Sequence, residues 1–282
     1  MKYKDALKNA KEKCIKAGVG DQAPLFLLLE ITEKEAHNLY MEYEEEIEDS
    51  MLEEYNQKVE RLLTGEPLDH ILGYSYFYGY RFAVDDRVLI PRPETEELVA
   101  NVLSAYDDHF ASQQATVIDV GSGSGAIAIS LKLEETNLQV SASDISEDAV
   151  DVASMNAKNL GADVTFLVGN MLDPFIENNY QVDILVSNPP YIPKDEQMEQ
   201  SVVGYEPHLA LFGGDDGLRF YREIFEKAHL VIKEKSILAF EMGYDQKETL
   251  TNEAKKYFKD DRIEVYKDMS GKDRMLFIYH NC

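Results

Sequence analysis

Apolar positions in the first ~70 residues return every three or four places, the spacing of one helix face. Tyr3, Leu7, Ala10, Cys14 and Ala17 make such a stripe, and Gly18 follows it as a C-terminal cap. Asp21 then precedes an apolar block, Leu25 to Leu29. Thr32 with Glu35 matches a capping box, which predicts another helix starting there. A further stripe, Met51, Leu52, Tyr55, Val59, Leu62 and Leu63, closes at Gly65 with Pro67 behind it. The acidic run from Glu42 to Asp49 lies between these and reads as a solvated face rather than a binding tail.

The pattern changes after Gly73. Tyr74 to Val84 is aromatic and β-prone, and Asp85-Asp86 offers a turn back into Arg87 to Ile90, which predicts a β-hairpin joining two domains. Pro91-Arg92-Pro93 stops the second strand, and Glu94 to Tyr106 opens a helix with acidic residues in its first turn. From Ala115 onward strand and helix patterns alternate. Strands are predicted at Thr116–Val120, Leu138–Ser143, Val164–Val168, Val182–Ser187 and Ser236–Glu241, with helices clearest at Gly125–Leu133, Ser146–Leu160 and Gly217–Lys233. Near-continuous apolar strands between helices indicate a buried parallel sheet. The end differs, because Arg262–Tyr266 and Arg274–Tyr279 are strands separated only by a turn at Ser270-Gly271. An antiparallel hairpin closing a parallel sheet fits a seven-stranded methyltransferase better than an ordinary dinucleotide-binding fold. The chain shows no internal repeat or low-complexity tract.

Val117-Ile118-Asp119-Val120-Gly121-Ser122-Gly123-Ser124-Gly125 is a buried strand running into a glycine turn and then a helix. Glycine suits a backbone that needs unusual dihedrals and a ligand that must approach without a Cβ in the way. The spacing is G-x-G-x-G, not the G-x-G-x-x-G of dinucleotide binders, and no Lys-Ser/Thr follows as in a P-loop. It is not a nucleophile elbow either, since no serine has glycines at both required positions. Asp144, about twenty positions on at the end of the next strand, is placed to accept hydrogen bonds from both hydroxyls of a ribose. A plain turn packing a helix on a strand, with Asp144 as a helix cap, is the competing account. Together the two features point to an adenosine-containing ligand in an α/β crevice. The loop spacing and the preceding Asp119 favour S-adenosylmethionine over NAD.

Ile184-Leu185-Val186-Ser187-Asn188-Pro189-Pro190-Tyr191 places Asn-Pro-Pro-Tyr at the carboxyl end of the fourth strand of the sheet, the edge where open α/β sheets bind ligands. Two prolines stiffen the turn and leave the carbonyls of Asn188 and Pro189 as acceptors. The Asn188 side chain adds another acceptor, and Tyr191 a flat face. Such a site suits a planar NH2 group on an sp2 carbon, its two N–H bonds held by acceptors and its face against an aromatic ring. That nitrogen is a poor nucleophile. Holding it in line with a methyl sulfonium contributes roughly 7–11 kcal/mol through orientation.

The 282 residues, 44% hydrophobic and 29% charged, provide for a sizeable core in one large domain or a large and a small one. No apolar run reaches membrane-spanning length, and Met1 to Cys14 lacks the apolar segment of a secretory signal, which predicts a cytoplasmic protein. Cys14 and Cys282 stand near opposite ends and read as free, structural thiols. The six histidines are scattered without metal-ligand spacing, so no metal is expected. The net charge of -25 disfavours nucleic acid as the direct substrate, since such affinity comes largely from Lys and Arg displacing counterions.

The motifs resemble the HemK/PrmC family of release-factor glutamine methyltransferases. The matching segments are Ile90-Pro91-Arg92-Pro93-Glu94-Thr95-Glu96, Asp119 to Gly125, Asn188 to Ile192, and Glu206-Pro207 through Ala210-Leu211 to Gly217-Leu218. Asn-Pro-Pro-Tyr alone is shared with adenine methyltransferases, whereas the Ile-Pro-Arg-Pro-Glu-Thr-Glu segment and the helical head are more specific. The resemblance covers nearly the whole chain. It implies a small helical domain over residues 1–73 that recognises the substrate, a β-hairpin linker over 74–92, and a Rossmann-like seven-stranded methyltransferase domain over 93–282.

The resemblance implies S-adenosyl-L-methionine as cofactor, S-adenosyl-L-homocysteine as product, and the glutamine of a Gly-Gly-Gln motif in peptide chain release factors as substrate. Gly121, Ser122, Gly123, Ser124 and Gly125 would contact the methionine and ribose parts of the cofactor, and Asp144 the ribose hydroxyls. Asn188 would contact both cofactor and substrate. Asn188 and Pro189 would hold the glutamine amide, with Pro190 and Tyr191 completing that wall. After the third strand the family carries an acidic then an aromatic residue near the adenine; this chain has Asn170-Met171, and Met171 would cover the adenine as a soft apolar contact. Pro91 to Glu96 reads as a pocket wall or as a hairpin-to-helix corner, and Glu206 to Gly217 equally as a structural loop or a substrate-binding one. The chain is expected to act as a monomer, away from membranes. The competing functions are an adenine methyltransferase acting on a nucleic-acid base, flipped out where it lies in a duplex, and a non-catalytic protein on a methyltransferase fold.

Overall fold

The structure is a computed structural model and describes residues 1–111, 113–196 and 204–282. The chain divides into two compact units. The first is Met1–Tyr74; the second begins at Ser75 and runs to Cys282, apart from a short segment ending at Tyr205 that joins the first.

The first unit holds helices α1 (Tyr3–Ala17), α2 (Ala23–Thr32), α3 (Ala36–Met41), α4 (Asp49–Leu63) and α5 (Leu68–Leu72). The predicted stripes form its core, where Leu7, Cys14, Leu27, Leu28, Tyr55 and Val59 meet. Gly18 ends α1 in the left-handed region, at φ 78°. The capping box is a correction: Thr32 is the last residue of α2, and its hydroxyl donates to the Leu28 carbonyl at 2.6 Å. Thr32 is thus still part of α2, with its side chain turned back on that helix, and α3 starts after Glu35 with no side-chain cap.

Next along the chain come β1 (Tyr74–Phe77) and β2 (Tyr80–Ala83). The hairpin turns at Tyr78-Gly79, both at positive φ (52° and 81°), and not at Asp85-Asp86. Positive φ at both central residues is the two-residue turn whose twist matches paired strands, so it displaces the longer turn expected from the aspartates. Arg87 to Ile90 is accordingly not a strand. Asp85 instead folds the chain back locally, accepting from the amides of Arg87 and Val88.

The rest of the second unit is the sheet and its helices. In chain order these are α6 (Pro93–Phe110), β3 (Ala115–Val120), α7 (Ala126–Glu134), β4 (Leu138–Asp144), α8 (Glu147–Leu160), β5 (Val164–Val168), α9 (Asp173–Glu177), β6 (Val182–Ser187), α10 (Arg219–Lys227), β7 (Ile232–Glu241), α11 (Lys247–Tyr257), β8 (Arg262–Lys267) and β9 (Asp273–His280). The strand order is β5-β4-β3-β6-β7-β9-β8, parallel from β5 to β7 and antiparallel at β9 and β8. The central strands β3 and β6 are apolar on both faces because helices cover both. Val117, Ile184, Val186 and Ile237 enter one core with α6 and α7, while Ile118, Leu185, Leu238 and Phe240 enter the other with α10 and α11. The predicted helix at Gly217–Lys233 is shorter than expected, since the chain passes through a 3-10 turn at Ala228–Leu230 and β7 already begins at Ile232.

The topology sets the site. Strands β3, β4 and β5 step outward in one direction, and β6 returns to the opposite side of β3. That reversal opens a crevice at the carboxyl ends of β3 and β6, the position where doubly wound sheets bind ligands. The glycine loop follows β3, and Asn-Pro-Pro-Tyr follows β6.

Candidate active site

A cavity of about 250 Å³ opens at this edge. Gly121, Ser122, Gly123, Ser124, Asp144, Met171, Asn188 and Pro190 all line it. Gly125, Pro189 and Tyr191 do not. A Cβ on Gly125 would fall 2.8 Å from Ile129 Cδ1 and 3.1 Å from Ala153 Cβ, so that glycine lets α7 and α8 approach behind the loop. Pro189 is buried, and Tyr191 is half-buried against the core on the α10 side.

The loop is held from both sides. The amides of Gly121 and Ser122 donate to the Ser143 carbonyl at 2.8 and 2.9 Å. Asp144 accepts from the Gly123 amide at 2.8 Å through one oxygen and from the Ser146 amide at 3.0 Å through the other. It is not the cap of α8: Ser146 fills that place, its hydroxyl accepting from the Ala149 amide. Burial pushes the Asp144 carboxyl up, against the pull of amides from Ser146, Gly123 and Ile145. Each carboxylate oxygen keeps a lone pair beyond its amide, so Asp144 can still accept from a ligand's hydroxyls. Asn156, on α8, donates to the carbonyls of Ser124 (2.9 Å) and Ala83 (3.0 Å) and accepts from the Ala83 amide, tying the loop to β2.

Gly121 and Gly123 sit at φ 82° and 52°, and a Cβ at either would meet no protein atom within 4 Å. Their backbone is open to a ligand. Asp119, the fully buried carboxyl at the base of the loop, accepts only from the Ala128 amide, while its Oδ1 is buried without a partner. Burial is the main cause that raises its pKa to about 7, and the charge of Asp144 adds to it. A pair of carboxyls beneath a bare glycine loop, one of them short of a donor, fits a cationic ligand with ribose hydroxyls. S-adenosylmethionine carries both.

Around Asn188 the supports come from distant parts of the chain. Its Nδ2 donates to Thr95 Oγ1 at 3.2 Å, and Thr95 donates in turn to Glu241 at 2.6 Å. Tyr191 OH lies 3.5 Å from the other Glu241 oxygen. Burial raises both the Tyr191 phenol and the Glu241 carboxyl, the latter to about 7. The segment after the motif is strapped down: Ile192 donates to Leu211, Gly213 to Ile192, and Gln246 Nε2 to the Tyr191 carbonyl at 3.0 Å. A Cβ on Gly213 or Gly217 would collide with the backbone of Pro190 or Tyr191, so those glycines permit the close approach. Pro91, Arg92 and Thr95 line one wall of the cavity and Pro207, Leu209 and Ala210 another. The buried Glu206 joins the two, pairing with Arg92 at 2.6 Å and accepting from the Ile90 amide.

Thr95, Asn156, Glu206, Glu241 and Gln246 are the positions that reading the sequence did not assign individually. Thr95 and Glu206 lay inside the family-like segments. Asn156, Glu241 and Gln246 carried no spacing signal. Among the described residues no group of three or more His, Cys, Asp or Glu could hold a metal ion, and no helix is long and apolar enough to cross a membrane.

Two family models match the chain: PrmC N-terminal domain over residues 5–73 and Methyltransferase small domain over residues 97–204. The release factor glutamine methyltransferase of Bacillus subtilis is 43% identical over 275 residues, covering 96% of each chain. That of Bacillus cereus is 40% identical over 279 residues, covering 98% of this chain and 99% of the relative. The crystal structure of a methyltransferase from Pyrococcus furiosus shares the fold, with a TM-score of 0.52 and 14% identity over 80% of this chain and 98% of that one. The chain belongs to the release factor glutamine methyltransferase family.

Proposed function

We propose that this protein transfers a methyl group from S-adenosyl-L-methionine to the side-chain amide nitrogen of a glutamine in a peptide chain release factor. One observation carries the reading: Asn188 and the glycine loop with Asp144 share a single cavity wall-to-wall, so an amide acceptor and an adenosine cradle face the same space. Full-length relatives at about 40% identity bear the name of that activity. The glutamine would be the one in a Gly-Gly-Gln motif, and the helical unit Met1–Tyr74 would recognise the protein that presents it. The site is cytoplasmic in this reading.

When bound, the cofactor supplies an electrophilic methyl group on a sulfonium. Asp144 would accept from the ribose hydroxyls, the bare backbone at Gly121 and Gly123 would lie against the methionine part, and Met171 would cover the adenine. Asn188 Oδ1 would accept from the glutamine NH2 and turn its nitrogen toward the methyl group, with the backbone carbonyl of Asn188 as a further acceptor. The N–CH3 bond would form as the S–CH3 bond breaks, leaving S-adenosyl-L-homocysteine, and the methylated nitrogen, then a strong acid, would pass its proton to water. Orientation does most of the work, worth roughly 7–11 kcal/mol.

Mass spectrometry of release factor, and in parallel of RNA, after incubation with the enzyme and labelled cofactor tests this reading. A label on the motif glutamine is expected, and a label on RNA alone overturns it. Asn188→Ala should lower turnover by about 100-fold or more while the protein stays folded.

A further inference from the structure

The hydrogen bonds behind Asn188 run in one direction. Thr95 has a single hydroxyl proton, and ionised Glu241 can only accept, so at 2.6 Å the hydroxyl donates its one hydrogen bond to the carboxylate. Thr95 Oγ1 is then left with lone pairs toward Asn188, 3.2 Å away, and only the NH2 end of the asparagine can satisfy them. The other end of the amide, Oδ1, is thereby kept for the cavity. We propose that ionised Glu241 is a positioning residue which, through Thr95, locks the Asn188 side chain with its oxygen rather than its NH2 toward the substrate amide. The inference rests on Asn188 holding the glutamine, and it explains why that residue presents an acceptor.

The alternative orientation is chemically close. A protonated Glu241 can donate to Thr95, whose own proton then turns to Asn188 and draws Oδ1 toward itself. Asn188 would then present two N–H donors to a glutamine NH2 that also donates, and the substrate would be repelled. The groups facing Glu241 make this switch accessible near neutrality. Thr95 and Glu94 come from the start of α6, Tyr191 from the turn after β6, Arg274 from β9, and Tyr221 of α10 donates to the Glu241 carbonyl at 2.6 Å. Burial outweighs the hydrogen bond from Thr95 and the charge of Arg274, so the carboxyl titrates at about 7. Above that value the carboxylate can only accept and the lock is enforced; below it the acid can donate to Thr95 as well as accept, and the orientation of Asn188 is no longer fixed.

The test uses the full chain, with turnover and KM measured from about pH 6 to about pH 8.5 and cofactor binding by calorimetry. Wild-type turnover should rise through pH 7. Glu241→Met, which removes the acceptor, and Thr95→Val should each lower turnover by on the order of 10–100-fold, leave cofactor affinity within about twofold, and flatten that rise. Thr95→Ser should recover most of what Thr95→Val loses, and the double variant should fall little further than either single one, as members of one relay do. Turnover within about twofold of wild type in both variants, with the pH limb retained, overturns the proposal. Should Glu241→Met not fold, Thr95→Val decides by the same two readouts. Asn188→Ala separates the inference from the reading beneath it. An inactive Asn188→Ala beside active Glu241→Met and Thr95→Val refutes only the relay, whereas an active Asn188→Ala refutes the amide-holding role as well.

Discussion

Asp119 offers a prediction in which stability and function move apart. Its carboxyl is fully buried, holds one amide at 3.2 Å, and titrates at about 7 against an ordinary 3.8. Between those values the native chain binds more protons than the unfolded one, so unfolding free energy falls as pH rises. From about pH 6 to about pH 8.5 this group alone costs the fold roughly 1–2 kcal/mol, and its whole penalty at the upper end is on the order of 4 kcal/mol. Asp119→Asn removes that titration. Its amide oxygen can keep the Ala128 contact, but its NH2 enters the place where Oδ1 has no partner, at a pH-independent cost of roughly 1–3 kcal/mol. The variant should therefore be the more stable protein at pH 8.5, by roughly 1–3 kcal/mol. Its lead in melting temperature should widen by about 3–6 °C between the two pH values, at roughly 2–4 °C per kcal/mol. Glu241 titrates in the same range but is common to both proteins and drops out of the difference. Thermal melts of both chains without cofactor, across that pH range, are the assay. A lead that stays constant with pH, or a variant less stable at pH 8.5, refutes the reasoning. The functional cost should appear in calorimetry, because a cationic cofactor loses a buried counter-charge.

Three further outcomes follow from the same cavity. Gly123→Val puts a branched side chain at φ 52° where glycine leaves open cavity space, so cofactor binding should vanish with the fold intact; unchanged binding would remove the glycine loop from the site. Asp144→Ala should weaken cofactor binding by about 1.5–3 kcal/mol, roughly 10–150-fold, and unaltered affinity would limit Asp144 to holding the Gly123 and Ser146 amides. A chain starting at Tyr74 should still bind cofactor but lose methylation of intact release factor, and full activity there would make the helical unit a stability element only.

What the sequence revealed, and what it hid, divides along the range of the interactions. The strands were legible because an apolar run between helices has few other ways to be satisfied, and β3, β5 and β6 lie within a residue of their expected bounds. The glycine loop and Asn-Pro-Pro-Tyr were legible because each is a continuous stretch whose backbone demands are written in its own residues. Errors arose where two local signals competed. Asp85-Asp86 looked like the turn of the hairpin, yet Tyr78-Gly79 took it, since Gly79 made a two-residue turn available and the strands needed its twist. Thr32 with Glu35 looked like a cap, yet the hydroxyl found the Leu28 carbonyl first.

The supports of the site were hidden for a different reason. Thr95 and Glu241 are 146 positions apart, Ile90 and Glu206 116, and Ala83 and Asn156 73. No periodicity links such pairs. Each partner, read alone, is an ordinary helix or strand-end residue. A buried polar side chain is tolerable only when its partner is also buried, so these residues become interpretable as pairs once the sheet has closed. Glu241 shows the consequence most clearly. At the end of an apolar strand, read alone, it looks like the polar residue that stops β7. In the folded chain it sits behind Thr95 with no access to solvent, and the charge it carries has an effect two hydrogen bonds away, on which end of the Asn188 amide the cavity meets. Recognition of the motif names the residue proposed to face the substrate, and only the closed sheet names the one proposed to aim it.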